Sequence, residues 1–299
     1  MTKTLVTGIN GFTGYYMAQR LHAAGHEVHG LVRDADRVDR DAATVLHTSD
    51  LLDQERMSAI IADIRPDYIV HLAGVAFVAH DDLAEMYRTN VLGTRALLEA
   101  SANVAAQPRA VLIASSANVY GNASEGTLTE DAPVRPANDY AITKVAVENL
   151  AAIYGARVPV IVARPFNYTG VGQSDSFLIP KIVSYIKRKA PVIELGNLDV
   201  ARDFSDVRAV VDAYLRLIEA PQAVGVTCNV CSGEAASLRE VVAQACRIAG
   251  HEIDVRVNPA FVRSNEVKLL QGSRAKLERV IGPLAMPSLD DTLRWMIES

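Results

Sequence analysis

The sequence is poor in cysteine and contains no long apolar run. Three cysteines in 299 residues cannot build the disulfide framework of a small secreted protein. No segment reaches the roughly 18 consecutive apolar residues that a transmembrane helix needs. The amino terminus, MTKTLVTGINGF, lacks the apolar core of a signal peptide, because glycine interrupts it early. We therefore expect a protein of the reducing cytoplasm without a membrane partner.

Strong basic character is also missing. The formal net charge is −5, and the compact basic run KRK at 187–189 is typical of the end of a solvated helix. This balance disfavours nucleic acid as a partner. Cys228 and Cys231 form a CxxC pair, but no second pair or nearby histidine accompanies it in the sequence, and we expect no metal site.

The sequence does contain a regular alternation of short apolar runs and longer amphipathic stretches. Six runs have the length and residue types of buried strands: KTLVTG, HEVHGLVR, ATVLHT, DYIVHLAG, RAVLIAS and VPVIVARP. The alternation predicts an α/β fold with a doubly wound parallel sheet, Rossmann-like, and helices on both faces.

The pattern changes near residue 166. Loops rich in glycine, proline and asparagine interrupt shorter elements from there on. We assign residues 1–165 to the sheet domain and 166–299 mainly to a smaller, interleaved C-terminal lobe. Residues 200–230 are expected to return to the sheet domain.

A glycine-rich turn, VTGINGFTG, follows the first predicted strand. Gly8, Gly11 and Gly14 would allow a tight turn and a close approach of the backbone to a ligand. Phe12 opens a helix predicted to run to Ala24, whose free N–H groups and partial positive charge suit a pyrophosphate. In this strand–turn–helix context the pattern predicts a dinucleotide-binding domain.

The other strand ends indicate which dinucleotide binds. Arg33 follows the second strand, where an arginine accommodates the 2′-phosphate of NADP and an acid favours the free hydroxyl of NAD. Asp34 and Asp36 come close behind, so NADP(H) is favoured and NAD(H) stays an alternative. Further cofactor contacts are expected at the ends of the third and fourth strands, from Asp50, Leu51, Leu72 and Ala73.

Two polar segments contain the candidate catalytic residues. Tyr140 and Lys144 lie four residues apart in a predicted helix, so their side chains share one face. A lysine cation beside a tyrosine favours the phenolate and lowers the tyrosine pKa from about 10, which makes the pair a tunable acid and base. About 25 residues earlier, SSANVYG closes the fifth strand, at the edge where open α/β sheets bind ligands.

Together these motifs resemble the extended short-chain dehydrogenases/reductases that modify nucleotide sugars. The matching segments are TGINGFTG, DL at 50–51, HLAG, NVLGT, SSANVYG, YAITK and RPFNYTGVGQ. The resemblance implies a catalytic set of Ser116, Tyr140 and Lys144, with the lysine also holding the nicotinamide ribose. It further implies that Asn90 supports the cofactor site and that the protein is a homodimer joined through two helices of the sheet domain.

One expected acid is missing. The 4,6-dehydratases of this family carry an acid just after the catalytic hydroxyl residue, where this chain has Ala117 and Asn118. Neither side chain ionises usefully, so dehydration is disfavoured. Hydride transfer at one carbon remains, either as net ketone reduction or as 4-epimerisation through oxidation and re-reduction.

The segment LGNLDVARDFSDVRAVVDAY (195–214) resembles the branch of GDP-mannose 4,6-dehydratases and GDP-4-keto-6-deoxymannose reductases. We therefore expect an NADPH-dependent reductase that acts at C4 of a GDP-linked keto-deoxy-sugar. The product would be GDP-D-rhamnose or its C4 epimer, GDP-6-deoxy-D-talose. Two alternatives stay open: an NAD-dependent nucleotide-sugar 4-epimerase, and a dinucleotide-sensing regulator without catalytic activity.

The resemblance also implies substrate contacts in the C-terminal lobe. Arginine suits a diphosphate because its planar fork binds phosphate oxygens in pairs, and an acid would hold the ribose hydroxyls. The substrate-binding residues expected on this basis, together with the catalytic serine, are Ser116, Asn167, Lys181, Arg202, Arg263 and Glu266.

Overall fold

The computed structural model describes residues 1–33, 45–76, 81–122, 126–261 and 268–299. Its strands are β1 (Lys3–Thr7), β2 (Glu27–Val32), β3 (Val45–Thr48), β4 (Tyr68–His71), β5 (Ala110–Ala114), β6 (Thr127–Leu128), β7 (Val160–Pro165), β8 (Asn167–Thr169), β9 (Val192–Leu195), β10 (Ala201–Asp206), β11 (Thr227–Val230), β12 (Ala235–Ser237), β13 (Asp254–Val257) and β14 (Leu269–Gly272). Its α-helices are α1 (Phe12–Ala23), α2 (Gln54–Ile64), α3 (Leu83–Tyr87), α4 (Thr94–Asn103), α5 (Asp139–Tyr154), α6 (Leu178–Lys187), α7 (Val207–Glu219), α8 (Leu238–Ala249), α9 (Ala275–Ile281) and α10 (Leu289–Glu298).

The main sheet contains seven parallel strands in the order β3-β2-β1-β4-β5-β7-β11. The chain builds outward from β1 to β3 and then crosses back to β4 on the other side of β1. The strand order therefore reverses between β1 and β4, the point where open α/β sheets bind their ligands beyond the carboxyl ends of the strands. The predicted doubly wound, Rossmann-like parallel sheet is confirmed.

Helices cover both faces of this sheet. Val6 belongs to a core formed with α1 and α7, whereas its neighbour Leu5 belongs to a second core formed with α2, α4 and α5. Successive side chains of a strand point to opposite faces, so a sheet covered on both sides needs apolar residues at every position. This explains why the strands appear in the sequence as unbroken apolar runs.

The second part of the chain forms a smaller lobe. A sheet in the order β12-β10-β14-β6, with β8 beside β10, packs near α6, α8 and α10, and β9 and β13 form a separate two-stranded ribbon. A single residue, Phe166, separates β7 of the main sheet from β8 of the lobe. β11 follows the lobe strand β10 in sequence but lies beside β7, so the two parts of the chain interleave. No helix in the described ranges is both long and apolar enough to cross a membrane.

Candidate active site

The glycine turn packs directly against the end of β4. Gly8 has φ of +71°, and a Cβ on it would lie 2.7 Å from the backbone nitrogen of Ala73. A Cβ on Gly14 would collide with the carbonyl oxygen of Gly8. Gly11 precedes α1 and has no side chain to occupy the free N–H groups of the first helical turn. A side chain at any of these three glycines would fill the space at the turn. The uncovered backbone of the turn therefore fits the pyrophosphate of a dinucleotide.

The end of β4 is fixed by hydrogen bonds to β1. The N–H groups of Leu72 and Ala73 donate to the carbonyl and the hydroxyl oxygen of Thr7, both at 3.2 Å. The buried ring of His71 lies between the hydroxyls of Thr7 (2.7 Å) and Thr94 (2.9 Å), and burial lowers its pKa to about 3. A neutral imidazole therefore holds the two strand ends next to the glycine turn.

The predicted cofactor contacts that follow β2 and β3 differ in exposure. Arg33 follows β2 directly, its side chain is 73% exposed, and one of its nitrogens lies 3.6 Å from a carboxylate oxygen of Glu85. Asp50 follows β3 and accepts the N–H of Leu52 at 2.8 Å, while Leu51 is buried in the core. Asp34 and Asp36, the residues that made the choice of dinucleotide ambiguous, lie outside the described residues.

Asn90 lies in a single π-helical turn, Arg88–Gly93, and is 1% exposed. Its amide oxygen accepts the N–H of Val75 at 2.8 Å, and its amide nitrogen donates to the carbonyl of Val75 (3.1 Å) and to the hydroxyl of Thr143 (3.0 Å). The hydroxyl of Thr143 donates in turn to the carbonyl of Tyr140 at 2.7 Å. Asn90 thus ties the loop after β4 to α5, and π-helical turns are frequent at functional sites.

The three predicted catalytic residues meet at the carboxyl edge of the main sheet. Ser116 follows β5, while Tyr140 and Lys144 occupy the first two turns of α5. Tyr140 is 8% and Ser116 5% exposed, and their hydroxyl groups lie near enough to interact. The Nζ atom of Lys144 donates to the carbonyl oxygen of Ala114 at 2.8 Å and lies 5.7 Å from the centroid of the Tyr140 ring.

Burial sets the proton affinities of this group. It raises the pKa of Tyr140 above its ordinary value of 10.0, and the hydrogen bond to Ser116 opposes the rise. The expected lowering of the Tyr140 pKa by Lys144 is outweighed in this arrangement, because the ammonium donates to the carbonyl of Ala114 and burial of the phenol dominates. Burial also lowers the pKa of Lys144 to about 8, against the nearby Glu148 carboxylate, which raises it. Near neutral pH the phenol is protonated and the lysine mostly charged.

Two further polar residues, neither of them among the predicted site residues, lie at this group: Asn118 contacts Ser116, and Glu148 contacts the neighbouring Ser115. Asn118 donates to the Ser116 oxygen from its backbone N–H at 3.2 Å and from its side-chain amide at 3.0 Å. Glu148 accepts the hydroxyl hydrogen of Ser115 at 2.5 Å, one helical turn beyond Lys144. The four-residue spacing between Tyr140 and Lys144 also separates Lys144 from Glu148, and this signal could have identified the carboxylate.

The lobe reaches the glycine turn through β8. The hydroxyls of Tyr168 and Thr13 share a hydrogen bond of 2.7 Å, and the Tyr168 ring stacks on Phe12 with 6.3 Å between centroids. The neighbouring Asn167 has a buried side-chain nitrogen without a hydrogen-bond partner in the part of the chain that the structure describes. A buried amide donor of this kind needs an acceptor, and a bound ligand would supply one.

Of the four remaining predicted substrate residues, the structure describes Lys181 and Arg202. Lys181 lies on α6, where its Nζ donates to the carbonyl of Glu194 at 2.9 Å and lies 4.6 Å from the centroid of the Phe261 ring. Arg202 lies on β10 and donates to the carbonyl of Ala201 at 2.8 Å. Both cations therefore belong to the lobe. Arg263 and Glu266 lie outside the described residues.

A doubly wound sheet with a glycine turn at its switch point, next to a helix that presents a buried tyrosine and a lysine, defines a short-chain dehydrogenase/reductase. Proteins of this class are oxidoreductases that use a nicotinamide dinucleotide. The family model described as GDP-mannose 4,6 dehydratase matches residues 5–296, and the chain belongs to this family. The predicted resemblance to extended short-chain dehydrogenases/reductases, the oxidoreductase class and the NAD(P) type of cofactor are thereby confirmed.

Known proteins resemble the chain over nearly its whole length. It is 33% identical to the GDP-6-deoxy-D-talose 4-dehydrogenase of Aggregatibacter actinomycetemcomitans, covering 94% of this chain and 91% of that protein. It is 36% identical to the GDP-6-deoxy-D-mannose reductase of Pseudomonas aeruginosa, covering 99% of this chain and 97% of that protein.

Two solved structures are also similar. The structure of RMD from Pseudomonas aeruginosa complexed with NADPH has a TM-score of 0.86 and 33% identity, covering 100% of this chain and 98% of that one. A crystal structure of a provisionally assigned epimerase from Burkholderia cenocepacia has a TM-score of 0.93 and 52% identity, covering 99% of this chain and 97% of that one.

Proposed function

We propose that this protein reduces the C4 ketone of a GDP-4-keto-6-deoxy-hexose with NADPH, giving GDP-D-rhamnose or its C4 epimer GDP-6-deoxy-D-talose. The observation that carries the proposal is the buried phenol of Tyr140, whose pKa burial raises and which lies next to Ser116. The segment that contains Ser116, SSANVYG, has no acid. A ketone reductase needs a proton donor here and needs no second acid. The names of two relatives, a GDP-6-deoxy-D-talose 4-dehydrogenase and a GDP-6-deoxy-D-mannose reductase, support the substrate class.

The catalytic residues have separate tasks in this reaction. The glycine turn at Gly8, Gly11 and Gly14 would hold NADPH, which would supply the hydride for the sugar C4. As the carbonyl electron pair moves onto O4, Tyr140 transfers its hydroxyl proton to that oxygen, which completes the secondary alcohol. Ser116 donates a hydrogen bond to the same oxygen and stabilises its developing charge. The Lys144 ammonium stabilises the phenolate that remains, which then regains a proton from solvent.

Positively charged side chains and an unpaired amide donor in the lobe support the proposal that a nucleotide diphosphate binds there. The side-chain nitrogen of Asn167 is buried and lacks a partner among the described residues. Arg202 and Lys181 add two cations to the same lobe, and Arg263 and Glu266 complete the proposed set of substrate residues. Arginine binds phosphate oxygens in pairs, so this group suits the diphosphate of a GDP-sugar.

We infer NADPH as the preferred dinucleotide because of Arg33. Its guanidinium lies directly after β2 and is largely exposed, the place where a positive charge accommodates the 2′-phosphate. The relative solved with NADPH agrees with this preference.

One observation favours a second candidate, a nucleotide-sugar 4-epimerase. A solved structure that is 52% identical to this chain is provisionally assigned as an epimerase. An epimerase begins by oxidising C4, so its tyrosine must first accept a proton. The raised pKa of Tyr140 disfavours this first step, because the phenol holds its proton near neutral pH. Turnover of a UDP- or GDP-hexose without added NADPH would identify an epimerase.

The direct test uses freshly generated GDP-4-keto-6-deoxymannose. We expect the purified protein to oxidise one NADPH for each sugar reduced, and NMR of the product will give the configuration at C4. Failure to consume NADPH with this substrate would contradict the proposal, as would the production of a 4-keto sugar from GDP-mannose.

We also infer a homodimer and a cytoplasmic location. Ile142 and Ile153 lie three turns apart on one face of α5 and are 43% and 72% exposed, and Leu92 before α4 is 49% exposed. An exposed apolar face of this kind suits contact with a second copy, as the family resemblance implies. The three cysteines are buried and unpaired, which agrees with a reducing compartment.

A further inference from the structure

The side-chain oxygen of Ser116 accepts two hydrogen bonds from the same residue. The backbone N–H of Asn118 donates to it at 3.2 Å and the side-chain amide of Asn118 at 3.0 Å. A serine hydroxyl has two lone pairs and one hydrogen. Asn118 therefore occupies both acceptor positions of the catalytic hydroxyl.

Because Asn118 occupies both acceptor positions of Ser116, the direction of any further hydrogen bond of Ser116 is determined. With both lone pairs used, Ser116 enters any further hydrogen bond as the donor. The Tyr140 hydroxyl lies near enough to Ser116 to interact with it, and it is the partner available for that bond. Hydrogen bonds in a chain polarise one another, so a Ser116 oxygen that already accepts two bonds donates its own hydrogen more strongly.

The turn that carries Asn118 is held firmly. Ser116 caps the 3₁₀-helical turn Ala117–Tyr120, and Val119 and Tyr120 are fully buried in it. The next residue, Gly121, has φ of +59° and lies directly against the carbonyl of Arg135. The Asn118 amide is thus presented to Ser116 from a rigid backbone.

We propose that Asn118 is a positioning residue that fixes the Ser116 hydroxyl as a hydrogen-bond donor to Tyr140 and, during turnover, to the substrate oxygen. The second part rests on the proposed ketone reduction. An ionised acid at position 118 would accept the Ser116 hydrogen and turn it away from the reacting oxygen. Asn118 therefore has two effects: its amide donates a hydrogen bond to Ser116, and its presence means that no acid stands at position 118.

The variants Asn118→Asp and Asn118→Ala test this direction. Near neutral pH the carboxylate of Asn118→Asp accepts the Ser116 hydrogen, and we expect kcat to fall about 100-fold, as when one donor to a developing oxyanion is lost. On acidification the protonated carboxyl can donate to Ser116. With an ordinary carboxyl pKa near 3.9, about 7% of the variant is protonated at pH 5, so the ratio of variant to wild-type kcat should rise about sevenfold between pH 7 and pH 5. Asn118→Ala should lose about tenfold at all pH values, since it lacks one hydrogen bond.

The titratable groups that α5 brings to the site, Tyr140 and Lys144, do not change charge between pH 5 and pH 7, because burial raises the pKa of Tyr140 above 10.0 and lowers that of Lys144 only to about 8. NADPH affinity, measured by fluorescence, should stay unchanged and serves as the control for folding. A ratio for Asn118→Asp that does not change with pH would overturn the inference.

Neutron diffraction from deuterium-exchanged crystals of the wild-type protein gives a test that needs no substrate. We expect the Ser116 deuterium to point at the Tyr140 oxygen and the Asn118 amide deuterons to face Ser116. A Ser116 deuterium that points at the Asn118 side-chain oxygen would overturn the inference, whether or not the protein reduces a keto-sugar. Absence of turnover by the wild-type protein would instead contradict the proposed function alone.

Discussion

The carboxylate of Glu148 and the guanidinium of Arg164 form two parallel hydrogen bonds, at 2.8 Å and 2.7 Å, behind the catalytic residues. Their side chains are 14% and 8% exposed. Glu148 lies on α5 one turn beyond Lys144 and also accepts a hydrogen bond from Ser115. The pair therefore joins α5 to the ends of β5 and β7, and it places a negative charge near Lys144.

We predict that Glu148→Gln destabilises the fold strongly. The variant leaves the Arg164 guanidinium buried without a counter-charge, and breaking a buried ion pair in this way costs roughly 3–5 kcal/mol. Denaturant unfolding will measure the loss of free energy. The double variant Glu148→Gln/Arg164→Met should recover part of it because no buried charge is left unpaired. A single variant as stable as wild type would show that the pair is unimportant.

The pH dependence of the reaction should follow Lys144. Burial lowers its pKa from 10.5 to about 8, so the charged form is present below that pH and is lost above it. We expect kcat/KM for NADPH, which reports ionisations of the free enzyme, to be level near pH 7 and to fall about tenfold per pH unit above pH 8. The Glu148 carboxylate raises the Lys144 pKa, so Glu148→Gln should move the decline to lower pH. A decline that starts only near 10.5 would contradict the burial effect.

Arg33 should determine the preference between dinucleotides. In Arg33→Ala the 2′-phosphate loses a charged hydrogen-bond donor, a change of about 1.5–3 kcal/mol, or roughly 10- to 100-fold in KM for NADPH. Because NADH lacks that phosphate, its KM should not change. Steady-state kinetics with both dinucleotides will measure the difference, and Arg33→Lys should retain part of the preference. Equal losses with NADPH and NADH would exclude a phosphate contact.

A charge on the exposed face of α5 should dissociate the proposed homodimer. Ile153→Glu places a carboxylate where the other copy would be in contact, and sedimentation should then show a monomer. The control is Val257→Glu on the separate β9–β13 ribbon, where Val257 is 53% exposed; it should leave the dimer intact. A dimeric Ile153→Glu variant would place the interface elsewhere.

The sheet and the helical tyrosine–lysine pair could be predicted because they depend on local patterns. KTLVTG and RAVLIAS became β1 and β5, since buried parallel strands need apolar side chains on both faces. Tyr140 and Lys144 share a face because one helical turn separates them. The glycine turn was recognisable from its position between a strand and a helix.

The contacts that complete the site could not be predicted because they join distant parts of the chain. Thr13 and Tyr168 are 155 residues apart, and their hydrogen bond follows from the packing of β8 against the glycine turn. The effect of burial on Tyr140 was missed for a related reason. Sequence spacing indicates which charge is near a phenol, but desolvation depends on every element packed around it, and here it raises the pKa.

The central claim is that the Tyr140 phenol protonates the substrate oxygen. Its most direct test compares wild type with Tyr140→Phe, by kcat for NADPH-dependent reduction of GDP-4-keto-6-deoxymannose and by NADPH affinity. The matched control is Tyr154→Phe, on the same helix, whose hydroxyl bonds to Glu99 at 2.6 Å. We predict that Tyr140→Phe loses about 1000-fold or more in kcat, in the range of general acid catalysis, with NADPH affinity unchanged and the control fully active. A Tyr140→Phe variant that turns over at a rate close to wild type would contradict the account.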